Sequence, residues 1–343
     1  MQRFPCPSCG NTLFFENTVC EACGEQLAFD PEVLALVTAP TGEDTDLLCA
    51  NAAHAACHWT LAGSPHPTRC LACAPNRTLP DLSAPESLPL WQRTEQAKHR
   101  LVYSLLRFRR EALRAPLADG SLQFDFLLPQ GNETLLTGHA DGLITLNLLE
   151  ARDSYRESTR TRMGEPYRTL VGHLRHEIGH FYWTRLIEPE PDALERFRAL
   201  FSDERAPRYA DALAAHYADG PGEDWAQHCI SAYAAAHPWE DWAETWAYYL
   251  HLVDALDTAA AHGLAFTSHE AGGDPVGMPA DPYTLTALET LLTAWGPLSV
   301  AINSLNRSLG TNDPTPFVLN RPVVEKLQFI HERIHLKVCA RAS

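Results

Sequence analysis

Apolar positions along the chain recur with the two periods that separate helices from strands. Ala97, Leu101, Leu105, Phe108 and Ala112 follow one another at spacings of 4, 4, 3 and 4, which predicts an amphipathic helix stopping before Pro116. Lys98, Arg100, Arg107, Arg109, Arg110 and Arg114 surround that stripe. They read as a solvated face, or as one that docks on acidic protein surface. Leu122, Phe124 and Phe126 alternate with Gln123 and Asp125, and the run from Leu143 to Leu149 interleaves Thr145 and Asn147. Both patterns predict strands, with turns expected at Gly131-Asn132 and across Gly138 to Gly142. Gly164-Glu165-Pro166 places proline where a first helical turn tolerates it and leads into Leu170, Leu174, Ile178 and Phe181. Pro238 opens another helix, in which Trp239, Trp242, Trp246, Tyr249 and Val253 form a 3-4-3-4 stripe expected to be core. Two further helices are expected near 283–297 and 322–336.

The first 80 residues break this pattern. They carry no long periodic segment, yet they hold Cys6, Cys9, Cys20, Cys23, Cys49, Cys57, Cys70 and Cys73 out of ten cysteines in all. The organisation expected is α+β: a small cysteine-rich β head over 1–80, then a mostly helical domain with a small β-sheet over 90–343. With 343 residues and 45% hydrophobic content, the chain has enough apolar surface for a real core. No apolar run approaches the ~18 residues that cross a bilayer, and a cysteine as early as position 6 does not suit a secretory signal, so a cytoplasmic location is expected. Disulfides would be reduced there, which turns the cysteine cluster toward metal. Net charge is −16, and residues 1–80 hold three Arg and no Lys against eight acidic side chains. The counterion-release term that drives nucleic-acid binding is missing, so neither nucleic acid nor membrane is an expected partner.

Cys6-Pro7-Ser8-Cys9-Gly10 and Cys20-Glu21-Ala22-Cys23-Gly24 are paired C-x-x-C-G turns. Two thiolates two residues apart grip one ion from a single tight turn, and two such turns complete tetrahedral zinc. The unit resembles a zinc ribbon. Cys49, Cys57, Cys70 and Cys73 make a second candidate zinc site, with His54, His58 and His66 as possible substitute ligands. Structural zinc supplies folding free energy that a small head cannot obtain from burial. Cys229 and Cys339 stand alone and read as small buried hydrophobes.

The other candidate chemistry is His176-Glu177-Ile178-Gly179-His180. On a helix, i and i+4 share a face, so both imidazoles can meet one zinc ion while Glu177 stands beside its open position as general base. A catalytic zinc wants a third protein ligand. Glu240, in Pro238-Trp239-Glu240-Asp241-Trp242-Ala243-Glu244, is the leading candidate, with Glu244 one turn on to hold a ligand imidazole. The reverse assignment, Glu244 as ligand, is the alternative. His173, Tyr209, Tyr217, Tyr233 and His237 are all candidates for stabilising an oxyanion, and His173 suits a supporting role better than that of a ligand.

The H-E-I-G-H helix followed by an E-x-x-A-E helix resembles the gluzincin metallopeptidases. More closely, Gly172-His173-Leu174-Arg175-His176-Glu177-Ile178-Gly179-His180-Phe181-Tyr182-Trp183, the block His237 to Ala247, and Ser304-Leu305-Asn306-Arg307-Ser308-Leu309-Gly310 are similar to a bacterial family of zinc-binding metallopeptidases with an N-terminal zinc ribbon. The resemblance implies a gluzincin-like domain, one catalytic and two structural zinc ions, and a peptide or protein substrate. It also implies His176, Glu177, His180 and Glu240 as its site, and a strand at 143–149 that takes an extended peptide by edge pairing. Glu177 would deprotonate the attacking water and protonate the leaving amine. The other readings are a zinc-dependent hydrolase of a non-peptide amide or ester, and a protein-interaction module that uses the zinc-ribbon head beside a non-catalytic body.

Overall fold

The computed structural model describes residues 2–129, 135–163, 169–266, 276–316 and 318–335. Gly131-Asn132, Gly164-Glu165-Pro166 and Cys339 lie outside the described residues. The architecture is α+β, and the chain divides into two compact units, Met1–Arg156 and Glu157–Ser343. No described helix is long and apolar enough to cross a membrane.

The first unit begins with two small hairpins. β1 (Phe4–Pro5) pairs with β2 (Thr12–Leu13), and β3 (Leu27–Asp30) with β4 (Ala35–Thr38). Two- and four-residue strands bury little by themselves. Their stability comes from an aromatic nucleus in which Phe15 lies 4.9 Å from Phe29, Phe29 lies 4.7 Å from Trp59, and Tyr103 packs 5.0 Å from Phe15. Tyr103 arrives from α1 (Ser87–Arg107), so this helix completes the core of the cysteine-rich segment.

The helix expected to run toward Pro116 stops at Arg107. Arg109 takes a left-handed φ of 50°, which ends regular helix, and α2 (Glu111–Arg114) follows as a separate turn. The basic residues around the stripe do not form a single solvated face. Lys98 is fully buried and Arg107 nearly so, while Arg100 pairs with Glu16 at 2.6 Å and Arg114 with Glu32. Arg100 and Arg114 thus dock on acidic side chains of the head, one of the two expected outcomes, while Arg109 is exposed, as the other expects.

β5 (Asn76–Thr78), β6 (Gln123–Leu127), β7 (Gly138–Ala140) and β8 (Leu143–Asn147) form one sheet in the order β5-β6-β8-β7. The turn expected across Gly138 to Gly142 is narrower: Gly138–Ala140 is strand, and Asp141 and Gly142, with φ of 49° and 82°, make the two-residue bend. Positive φ at both central positions is what a type I′ hairpin needs. Because β7 folds back on β8, β8 pairs with β6 on one side and β7 on the other. The strand at 143–149 is therefore interior, and the expectation that it takes a peptide by edge pairing is corrected; the sheet's edges are β5 and β7. Beyond Asn147 the chain turns into a short 3-10 segment.

The second unit is helical. α3 (Asp153–Met163) spans the division between the units, and α4 (Leu170–Leu186), α5 (Pro191–Phe201), α6 (Tyr209–Asp219) and α7 (Trp225–His228) follow. The long α8 (Pro238–Ala261) leads to the short antiparallel pair β9 (Ala265–Phe266) and β10 (Val276–Gly277), then α9 (Leu288–Ser308) and α10 (Arg321–His335). Thr169 starts α4 by accepting the Gly172 N–H at 2.9 Å, and His237 starts α8 by accepting the Trp239 N–H at 3.2 Å. Trp242, Trp246, Tyr249 and Val253 are fully buried while Trp239 lies at the rim, so the expected stripe is core. α4 packs on α8 around Gly179: a side-chain Cβ there would lie 3.1 Å from Ala243 Cα, and the Gly179 carbonyl accepts Trp242 Nε1–H at 2.8 Å. A buried Lys326–Asp241 pair ties α10 to the same helix.

Candidate metal centres

The α4–α8 contact sets the candidate catalytic site. His176 and His180 lie one turn apart on α4, with Nε2 atoms 3.1 Å apart. Glu240, in the first turn of α8, brings Oε2 to 3.0 Å from His176 Nε2 and 3.7 Å from His180 Nε2. Glu244, one turn on, sits instead at the other ring nitrogen, 2.8 Å from His176 Nδ1, and its second oxygen accepts from Ser231 Oγ at 2.6 Å. Of the two carboxylates, Glu240 thus faces both imidazoles and Glu244 orients one of them. Glu177 is buried beside them with Oε1 3.1 Å from His173 Nε2. Tyr209 donates to Glu240 Oε1 at 2.5 Å.

The electrostatics of this group expect a cation. Glu240 is buried, and its Oε2 faces His176 Nε2 at 3.0 Å without an aligned hydrogen bond, a costly state for a carboxylate oxygen. Burial would raise the Glu240 pKa, but the imidazoles of His180 and His176 overrule it and hold it well below the carboxylate range. Burial likewise disfavours the His176 cation, and the Glu240 and Glu244 carboxylates more than reverse that. One nitrogen from each histidine and one Glu240 oxygen all lie within 4.8 Å of one another. Two imidazoles and one carboxylate are the donor set of a catalytic zinc, and an orphaned oxygen aimed between two nitrogens is what such an ion satisfies. The residues fit the metal.

The other side chains weighed for an oxyanion are dispersed around this centre. His173 and Tyr209 are engaged with Glu177 and Glu240. Tyr233 packs its ring 6.0 Å from that of His176, His237 caps α8, and Tyr217 is more than half exposed. Ser231 was not legible in the sequence, since a lone serine in a loop carries no spacing signal. α10 holds a second string of the same form, His331-Glu332-Arg333-Ile334-His335. There Glu332 pairs outward with Arg196 at 2.8 Å and His331 Nδ1 meets Tyr249 OH at 2.8 Å. Among the described residues no carboxylate joins those two rings into a metal-ligand group.

The cysteines fall into the two expected groups of four. In the first, Cys6 and Cys23 approach to 3.7 Å, as do Cys9 and Cys20. Gly10 and Gly24, at φ of 74° and 79°, let each turn fold back so that their N–H groups reach the Cys6 and Cys20 carbonyls. In the second, all four cysteines are buried and Cys57 lies 3.6 Å from Cys70. Thiolates at ~2.3 Å from a tetrahedral zinc stand about 3.8 Å apart, so both clusters have the right scale. None of His54, His58 and His66 joins the second cluster: His58 bonds the Phe15 carbonyl, His66 accepts the Thr68 and Arg69 N–H groups, and the His54 ring packs against Trp91. The imidazole that does reach it is His99, 3.3 Å from Cys57 Sγ. Cys229 is a half-buried thiol whose pKa burial pushes up to about 12, the unreactive state expected of it.

Two four-thiol clusters and a converging His-His-Glu set are the donor inventory of a zinc-binding protein. The chain belongs to the family described as "Putative zinc-binding metallo-peptidase", whose model matches residues 87–333, and residues 3–84 match a zinc-ribbon domain. It is 42% identical over 338 residues to uncharacterized proteins of Mycobacterium tuberculosis and Mycobacterium bovis, an alignment covering 96% of this chain and 94% of each relative. No solved structure matches it.

Proposed function

We propose that this protein is a zinc-dependent metallopeptidase in which His176, His180 and Glu240 hold one zinc ion and Glu177 is the general base. The observation that carries the reading is the convergence of a buried Glu240 Oε2 on two Nε2 atoms, 3.0 and 3.7 Å away, with a second buried glutamate alongside. The family match supports it. Zinc held by His176, His180 and Glu240 would supply Lewis acidity there, polarising a carbonyl and easing the ionisation of water near neutral pH. Glu177 accepts the proton of the attacking water and passes it to the departing amine nitrogen. Its Oε1 lies 3.1 Å from His173 Nε2, which fixes the carboxylate in place. Glu244, itself fixed by Ser231, keeps the His176 ring turned with Nε2 toward the site. The two four-cysteine clusters are assigned structural zinc, giving three ions per chain.

Glu177→Gln tests the assignment. The variant is expected to keep three zinc ions by elemental analysis while losing cleavage of a peptide library. Full activity would remove Glu177 as base. Wild-type protein that ignores peptides but hydrolyses small amides or esters would replace the substrate class while leaving the metal site standing.

A further inference from the structure

The segment matched by the peptidase model begins at residue 87, yet its first helix is built into the second cysteine cluster. Glu95, Lys98 and His99 occupy one face of α1 and are buried, the first two completely. His99 Nε2 lies 3.3 Å from Cys57 Sγ and 3.6 Å from Cys73 Sγ. Cys73 Sγ lies 3.1 Å from Glu95 Oε1, which also faces Asn76 Nδ2 at 3.1 Å and Lys98 Nζ at 2.8 Å. The Lys98 ammonium is 5.1 Å from the ring centroids of both Phe124 and Phe126 on β6.

Three polar side chains at wholly buried helix positions need a cause, because each ion removed from water costs several kcal/mol. Apolar residues would fill the same space without that cost. A divalent ion held by four thiolates supplies the cause. It carries a net charge of −2 into a sealed interior, where N–H donors to sulfur and a positive counter-charge are the compensation available. His99 stands where the N–H donor is required, and Lys98 neutralises Glu95, whose carboxylate would otherwise face the Cys73 sulfur at 3.1 Å uncompensated. The trio Cys73, Glu95 and His99 also lies within metal-ligand range. A second ion there would have to displace Lys98 Nζ, which already occupies the cation position against Glu95.

We propose that α1 is part of the second metal site: His99 Nε2–H donates to the Cys57 and Cys73 sulfurs, and Lys98 neutralises the Glu95 carboxylate that lies against Cys73. Metal at Cys49, Cys57, Cys70 and Cys73 thereby fastens α1 onto the cysteine segment. His99 is a positioning residue, and the proposal is independent of the peptidase reading.

The test uses the full chain loaded with Co(II), comparing wild type with His99→Ala and His99→Gln. The second cluster is expected to take up cobalt in every variant at saturation. In His99→Ala, release from the second cluster to a chelator is expected to accelerate about 10- to 100-fold, the range typical of lost outer-shell partners. Its thiolate-to-cobalt absorption should shift while the d–d bands stay those of a four-sulfur site, and the ribbon cluster should release at its original rate. His99→Gln, which keeps an N–H donor, should recover part of the loss. As metal leaves the second cluster, the amides of α1 should lose protection from hydrogen exchange. Unchanged absorption and release in His99→Ala would overturn the hydrogen bond. A change of d–d bands from three sulfurs and one nitrogen to four sulfurs would overturn it in favour of a ligand role. Should the alanine variant not fold, wild-type protein loaded with an NMR-active cadmium isotope decides: the His99 ring proton is expected to couple to the ion through sulfur, and absence of coupling overturns the proposal.

Discussion

Gly179→Ala is the sharpest test of how packing governs the candidate catalytic centre. In isolation the change favours a helix, by about 0.5–1 kcal/mol. Here the added Cβ would lie 3.1 Å from Ala243 Cα and 3.1 Å from Trp246 Cδ1, where comfortable carbon contacts begin at roughly 3.5 Å. Trp246 is fully buried and stacked 5.2 Å from Tyr182, with Trp242 at 5.7 Å on another side, so it has no room to rotate away. The relief is a separation of α4 from α8 by about 0.4 Å, and overpacking of this kind costs about 1–3 kcal/mol. The net effect expected on the fold is therefore a loss of up to about 2.5 kcal/mol. The effect on metal should be larger in proportion. Gly179 adjoins His180, and Ala243 sits between Glu240 and Glu244, so the same movement pulls the imidazoles from the carboxylate by more than the ~0.2 Å that ligand distances tolerate. Urea melts and zinc competition on purified protein measure both quantities. The variant should bind its catalytic zinc at least about tenfold more weakly, the lower end of what lost ligand positioning costs. A variant that is stabilised and binds zinc as well as wild type would refute the tight α4–α8 contact as the determinant of the site.

Glu244→Ala removes the acceptor at His176 Nδ1 and should weaken the catalytic zinc about 10- to 100-fold; Glu244→Gln, which retains an acceptor oxygen, should lose less in the same competition assay. Stripping metal with a strong chelator should lower hydrogen-exchange protection over the hairpins of residues 4–38, because the ion held by four thiolates supplements a small aromatic nucleus there. The buried α4–α8 amides should stay protected, and an unaffected head would contradict structural zinc. Arg77 holds the Asp125 carboxyl below its ordinary pKa, so the folded state favours the ionised form. The stabilisation is present above the unfolded pKa of about 3.9 and is lost as pH falls toward the folded value. Asp125→Asn should accordingly flatten the acid limb of a stability–pH profile, and an unchanged profile would count against the pair.

What could be read from the chain without its fold was local chemistry. The C-x-x-C-G turns, the i and i+4 histidines and the tryptophan stripe each depend on residues within one or two turns of backbone, where spacing dictates geometry. The first four-cysteine group and the core role of Trp242, Trp246 and Tyr249 follow from such spacing, and the structure assembles them as expected, whereas Cys49, Cys57 and Cys70 lie too far apart along the chain for local spacing to join them. Lys98 misled for the complementary reason. Composition presents it as one cation among several on a helix, while only the approach of Asn76, Phe124 and Phe126 makes its position interior. The strand at 143–147 misled likewise, because an alternating pattern does not say whether a neighbour will close its edge.

The two H-E-x-x-H strings state the division most plainly. At 176–180 and at 331–335 the local pattern is the same, and each places two imidazoles on one helix face. Both faces meet α8, but the first meets it at Glu240 and Glu244, and the second meets it at Tyr249. Backbone spacing, which acts over a few ångströms, determined the donors in each string. Long-range helix packing, set by Gly179 and its tryptophan neighbours, decided which pair of histidines acquired a carboxylate.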